Sequence, residues 1–124
     1  MMYGIGIDQI EVARVAERLA RESGLKESLF TPGEIAYCEG KRYGAQHYAA
    51  RYAAKEAFFK AIGTGWRGGV GFGDIEIIND RQGRPACVLH GQARRLADDN
   101  HIVAIQVSLT HIQDLAAAIV TLET

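Results

Sequence analysis

The spacing of apolar residues changes several times along this chain, and each change marks an element. Tyr3 to Ile7 (YGIGI) is a run of small and apolar residues that predicts a short strand ending at Asp8. From Glu11 to about Glu22, Val12, Val15, Ala16 and Leu19 recur at helical spacing, which predicts an amphipathic helix. SGLKESLFTPGE reads as a loop, with Thr31 as N-cap and Pro32 opening a short helix around Gly33–Glu39. The strongest helical stretch is YGAQHYAARYAAKEAFFKAIGTG. It is rich in Ala and long side chains and stops at Gly63 and Gly65, where left-handed backbone costs little. After the flexible connection GWRGGVGFG, DIEIIND and PACVLHG predict a hairpin around the turn RQGR. QARRLADDN predicts a short helix. IVAIQVSLT alternates, with Val103, Ile105, Val107 and Leu109 on one side and Ala104, Gln106, Ser108 and Thr110 on the other. DLAAAIVTLE predicts a last strand after the turn HIQD. Strands and helices mix without a regular βαβ rhythm, so the expected class is α+β, an antiparallel sheet packed against the long central helix.

Composition narrows the setting. A length of 124 residues predicts one domain, 1–124, large enough to bury a core without staples. A hydrophobic share of 48% and a charged share of 23% are ordinary for a soluble globular protein. The net charge of −1 gives no reason to expect a nucleic-acid partner. No basic segment followed by an apolar run precedes Tyr3, and no apolar run approaches the ~20 residues that span a bilayer. With only Cys38 and Cys87, the expectation is a cytoplasmic protein with reduced thiols and no membrane partner.

Against that background a few polar residues stand out. Asp8 follows a core strand at a strand–helix corner, where Asp is a favoured N-cap. Glu56 and Lys60 stand at i, i+4 on the Ala-rich helix, an order that stabilises a helix by about 0.2–0.5 kcal/mol as an ion pair. A carboxylate on so apolar a helix needs a partner. Asp8 and Glu56 together suit a hard cation such as Mg²⁺, which is usually held by one or two carboxylates plus phosphates and water. Ser108, Thr110 and His111 close the alternating strand, and hydroxyls there suit a phosphate. So do the open N–H groups of Gly63, Thr64 and Gly65, although GTGWRGG follows a helix instead of opening one and matches no nucleotide-binding loop. Arg14, Arg18 and Arg21 share one helix face. Glu17–Arg21 and Arg18–Glu22 can pair along it, and arginines so placed also suit capture of carboxylates on an acidic protein. On these residues alone three readings stand level: a group-transfer enzyme, a Mg²⁺-dependent phosphohydrolase of coenzyme A or a nucleotide, and a non-enzymatic binding module.

Three blocks together resemble a known family over nearly the whole chain. GIGIDQIEVARV, RYAAKEAFFKAIGTG and VSLTHIQDLAAAIV are similar, in order, to the opening, central and closing signatures of the holo-[acyl-carrier-protein] synthases, small bacterial 4′-phosphopantetheinyl transferases. Ser23–Gln46 and DRQGRP match no block. The resemblance implies transfer of phosphopantetheine from coenzyme A to a serine of an apo acyl carrier protein, with release of 3′,5′-ADP. It implies Mg²⁺ at Asp8 and Glu56, with Glu56 as candidate base, and Lys60 on phosphate oxygens. It further implies Gly63, Thr64, Gly65, Thr110 and His111 against the nucleotide end of the coenzyme, His111 also being a catalytic candidate. Arg14, Arg18 and Arg21 would face the carrier protein. The assembly it implies is a homotrimer with active sites between neighbouring subunits.

Overall fold

Alternation along the first strand decides the architecture. In the computed structural model, which describes residues 1–63 and 69–124, β1 runs from Met2 to Glu11. Its even positions Gly4, Gly6, Asp8 and Ile10 turn inward, and its odd positions face outward. The chain continues through α1 (Val12–Arg21), α2 (Leu25–Leu29), α3 (Pro32–Glu39) and α4 (Gly44–Ile62). After a short 3₁₀ turn at Phe72–Asp74 come β2 (Ile75–Asn79), β3 (Pro85–Leu89), α5 (Gly91–Asp99), β4 (Ala104–His111) and β5 (Leu115–Glu123). An antiparallel three-stranded sheet of order β1-β5-β4 packs on α4, and β2 and β3 form a separate hairpin. The expected α+β class is what the chain adopts.

Helix α4 is buried on nearly every side. Ala49, Ala50, Ala53, Ala54, Ala57 and Ala61 combine the best helix propensity with the smallest side chain, so sheet and helix come close. Closest of all is β1. A Cβ on Gly4 would sit 2.0 Å from the carbonyl oxygen of Ala61, and one on Gly6 would sit 2.0 Å from that of Ala57. The helix ends at Gly63 with φ +84°, the expected left-handed stop. Thr64 and Gly65, the rest of that expected glycine motif, lie outside the described residues.

Two cations are buried in this otherwise apolar layer. Lys55 Nζ donates to Glu34 Oε1 at 2.7 Å and to the carbonyls of Phe72 and Ile75 at 3.0 and 2.6 Å. Glu34 in turn accepts from the amides of Thr31 and Ile77. Thr31 and Glu34 form the capping box of α3, with Pro32 in the first turn as expected. Burial pulls the Lys55 ammonium below its ordinary range, and Glu34 opposes that pull. The pair thus fastens α3, the 3₁₀ turn and β2 to α4.

Three local expectations are corrected. Asp8 neither ends its strand nor caps a helix, because pairing with β5 carries β1 on to Glu11, with Asp8 opposite Ala118. The cap position of α1 falls to Glu11, and the amide of Val12 donates to the carbonyl of Asp114. Leu25–Leu29, expected as loop, is helical because Leu25 and Leu29 pack into the core from one side. Val103 lies just before β4 and is 79% exposed, whereas Ile105, Val107 and Leu109 do pack inward.

The outer face of the sheet is uncovered. Ile7 is 64% and Ile5 58% exposed, and Ile7 stands in register with Ile119 and Ser108. Gly6→Ala is expected to destabilise the chain by about 3 kcal/mol, the upper end for overpacking, since the methyl meets backbone that cannot rotate away. Urea unfolding measures this, and a loss under about 1 kcal/mol would show that the strand can lift from the helix.

Candidate active site

The inward row of β1 and the stripe Tyr52–Glu56–Lys60 on α4 meet in one place. A cleft of ≈260 Å³ opens there, with Asp8 from β1, Arg14 and Arg18 from α1, and Tyr52 and Glu56 from α4 around it. Its floor is apolar, formed by Ile10, Val15, Leu19, Leu25 and Leu29. Asp8 arrives at this cleft because Gly4 and Gly6 let the strand lie on the helix, so the next inward residue lands beside the α4 stripe.

Lys60 does not pair with Glu56, the partner its spacing suggested. Its Nζ donates to Asp8 Oδ1 at 2.9 Å and to the carbonyl of Ile7 at 3.0 Å. Tertiary proximity wins here over a weak pair along the helix. Tyr52 stands one turn before Glu56. Burial raises its phenol pKa above the ordinary value, helped by the Glu56 carboxylate and opposed by the Arg18 guanidinium. Among the described residues no group of three or more His, Cys, Asp or Glu side chains is placed to hold a metal. Two carboxylates with no imidazole or thiolate beside them fit a hard divalent cation that takes its other ligands from water and phosphate.

The arginine face divides. Arg18 pairs with Glu22 at 3.0 Å and Arg21 with Glu17 at 3.2 Å, the expected self-pairing. Of the three, Arg14 alone has no ion-pair partner among the described residues, and it lines the cleft.

Thr110 and His111 lie elsewhere. Being consecutive on β4 they fall on opposite faces, Thr110 outward and exposed, His111 inward. The Nδ1 of His111 is 2.8 Å from Gln46 Oε1, and its ring meets that of His47 edge-on at 4.8 Å. Both histidines line a second cleft of ≈170 Å³ with Tyr37, Arg51, Asn79 and Pro85. Among the described residues none lines both this cleft and the Asp8–Glu56 cleft. Burial, then His111, Arg51 and Lys41, hold the His47 pKa below its usual value. Arg51 is 2% exposed. Its Nη2 donates to Asn79 Oδ1, its guanidinium lies 4.1 Å from the Tyr37 ring centre, and its Nε has no partner among the described residues.

Sequence reasoning missed Tyr37, His47, Arg51 and Asn79. A signal for Arg51 was present, since a cation in the same Ala-rich run needs a partner as much as Glu56 does.

Comparison with known proteins bears on this geometry. A family model described as the 4′-phosphopantetheinyl transferase superfamily matches residues 4–120. The chain is 45% identical to a holo-[acyl-carrier-protein] synthase of Geotalea daltonii, covering 99% of each. Its fold is similar to the crystal structure of a holo-[acyl-carrier-protein] synthase from Neisseria meningitidis, with a TM-score of 0.90, 30% identity and full coverage of both chains. It is also similar to such a synthase from Bacillus anthracis solved in complex with CoA (3′,5′-ADP). There the TM-score is 0.83 and the identity 33%, over 100% of this chain and 98% of the other.

Proposed function

Because the chain belongs to the 4′-phosphopantetheinyl transferase superfamily, and within it to the holo-[acyl-carrier-protein] synthases, we propose that it moves phosphopantetheine from coenzyme A to a serine of an apo acyl carrier protein, Mg²⁺-dependently, releasing 3′,5′-ADP. The observation that carries this reading is the meeting of Asp8 and Glu56 in one cleft beside Lys60. The carrier serine Oγ attacks the phosphorus that bears the pantetheine arm, an O–P bond forms, and the bond from that phosphorus to the 3′,5′-ADP oxygen breaks. Glu56 takes the serine proton, directly or through water. It is half-buried beside Tyr52 and lines the cleft. Lys60 pairs with phosphate oxygens as charge shifts to the leaving group. Asp8 and Glu56 would hold Mg²⁺, which when bound offsets charge on the pyrophosphate and fixes its orientation.

The second cleft suits the nucleotide end of the coenzyme. His47 and His111 offer ring surfaces to adenine, and the buried Arg51 behind them lends positive charge to the cleft. Since the two clefts are separate within one chain, the reading is completed by a neighbour. The uncovered face with Ile5, Ile7 and Ile119 is the surface a homotrimer would bury, one subunit supplying the carboxylates and the next supplying His111. Arg14, which lines the cleft and has no ion-pair partner among the described residues, would meet acidic residues of the carrier, with Arg18 and Arg21 behind it. The whole acts as one domain, in the cytoplasm. In keeping with that, both thiols are unbridged, and burial pushes Cys38 up to about 11 and Cys87 up to about 12. Among the described residues no helix is long and apolar enough to cross a membrane.

Intact mass spectrometry of apo carrier protein incubated with coenzyme A tests the reaction. A gain of one phosphopantetheine is expected with Mg²⁺ and none without it, and Asp8→Ala or Glu56→Ala should cost at least about 100-fold in rate, the scale of a lost proton-transfer group. Coenzyme A consumed with no gain on the carrier would point to the hydrolase instead. Arg14→Glu should raise KM for the carrier about tenfold and leave KM for coenzyme A unchanged; equal losses in both would remove the docking role. In sedimentation, Ile7→Glu is expected to turn a trimer into a folded, inactive monomer, and a variant still trimeric and active would refute the shared site.

A further inference from the structure

Two lysines on α4 have opposite fates. Lys55 is fully buried and fixed by Glu34 and two carbonyls. Lys60, more than a turn further on, is 55% exposed on a flexible stem, yet its ammonium reaches back to a carboxylate that is only 16% exposed. We infer that Lys60 is a place-holding cation: it occupies Asp8 while no metal is bound, is displaced when a divalent cation takes that carboxylate, and is thereby released to meet the anionic coenzyme. The inference rests on the reading of Asp8 and Glu56 as metal ligands.

First, Asp8 sits on the inward face of β1 above a helix of alanines, where an unpaired carboxylate is costly. The Lys60 ammonium supplies that compensating charge. Second, the same oxygen cannot serve both cations well. Lys60 donates directly to Asp8 Oδ1, and a divalent ion arriving there meets a positive charge at close range, so the two compete. Third, the lysine can leave cheaply. Its second bond is to the carbonyl of Ile7, and an ion pair with one half-exposed partner exchanges readily for water or another anion. An ammonium carries three donors on four rotatable carbons, so a short swing exchanges a carboxylate for a phosphate oxygen. The metal and the coenzyme thus become coupled: binding of the first frees the group that the second requires, and by linkage each tightens the other.

The test is Mn²⁺ binding to the full chain without coenzyme, followed by electron paramagnetic resonance, in the natural protein and in Lys60→Gln. Glutamine keeps the length and polarity and removes the charge. The expected result is that Lys60→Gln binds Mn²⁺ roughly tenfold more tightly, even though it turns over more slowly. Equal or weaker binding in Lys60→Gln overturns the inference and leaves the metal reading standing. No Mn²⁺ binding in either protein removes the metal reading and this inference with it. A second measurement needs no substitution. The ¹³Cε resonance of Lys60 should move when Mg²⁺ is added to the natural protein, and a resonance that stays still while Mn²⁺ binds would overturn the exchange.

Discussion

The contact between β1 and α4 sets everything else. Two glycines lie on two helix carbonyls with no room for a single methyl group, so the sheet rests on the helix as backbone on backbone. That closeness explains the alanines of α4. Larger residues at Ala57 or Ala61 would hold the strand away, and Asp8 would then overhang the helix without reaching the level of Lys60. The geometry of the candidate site follows from two glycines on the strand and two alanines on the helix.

A second constraint steadies the far side of the same helix. The Lys55–Glu34 pair is sheltered from water and every oxygen of Glu34 is engaged. Buried pairs of this kind contribute little net stability compared with apolar packing, but removal of one partner leaves a stranded charge that costs about 3–5 kcal/mol. Their effect is to allow one arrangement. Here that arrangement fixes α3 and the hairpin around α4, so that Tyr37, Asn79 and Arg51 converge beside His47 and His111.

Much of this was legible in the chain. The 3.6-residue spacing of α1, the Ala-rich run of α4, the Thr31–Pro32 cap and the alternation of β4 each carry a local physical cause, and each appears where that cause acts. What escaped was decided by pairing across the chain. Asp8 reads as a cap because a polar residue between a strand and a helix usually is one, yet the ladder to Ala118 carries the strand past it. Lys60 reads as the partner of Glu56 because no local rule tells it that Asp8 is near. The separation of His111 from the carboxylates was equally hidden, since order along a sequence does not say that β1 and β4 take opposite edges of the sheet with β5 between them. The family resemblance offered expectations for the residue roles that spacing alone left open.

The sheet order carries one more consequence, for how the molecule comes to exist. Among the described residues β1 is an edge strand paired with β5 alone, with Gly4 opposite Leu122 and Glu11 opposite Leu115. This ladder closes nearly the longest loop the chain offers, and such closures form late because their entropy is lost before their contacts form. On the ribosome, α1 and α4 can collapse together while the strand that carries Asp8 still waits for a partner not yet synthesised. A truncated or stalled chain can therefore hold helices and a hairpin and yet lack the cleft that Asp8 and Glu56 line, so that this cleft is among the last features the nascent protein acquires.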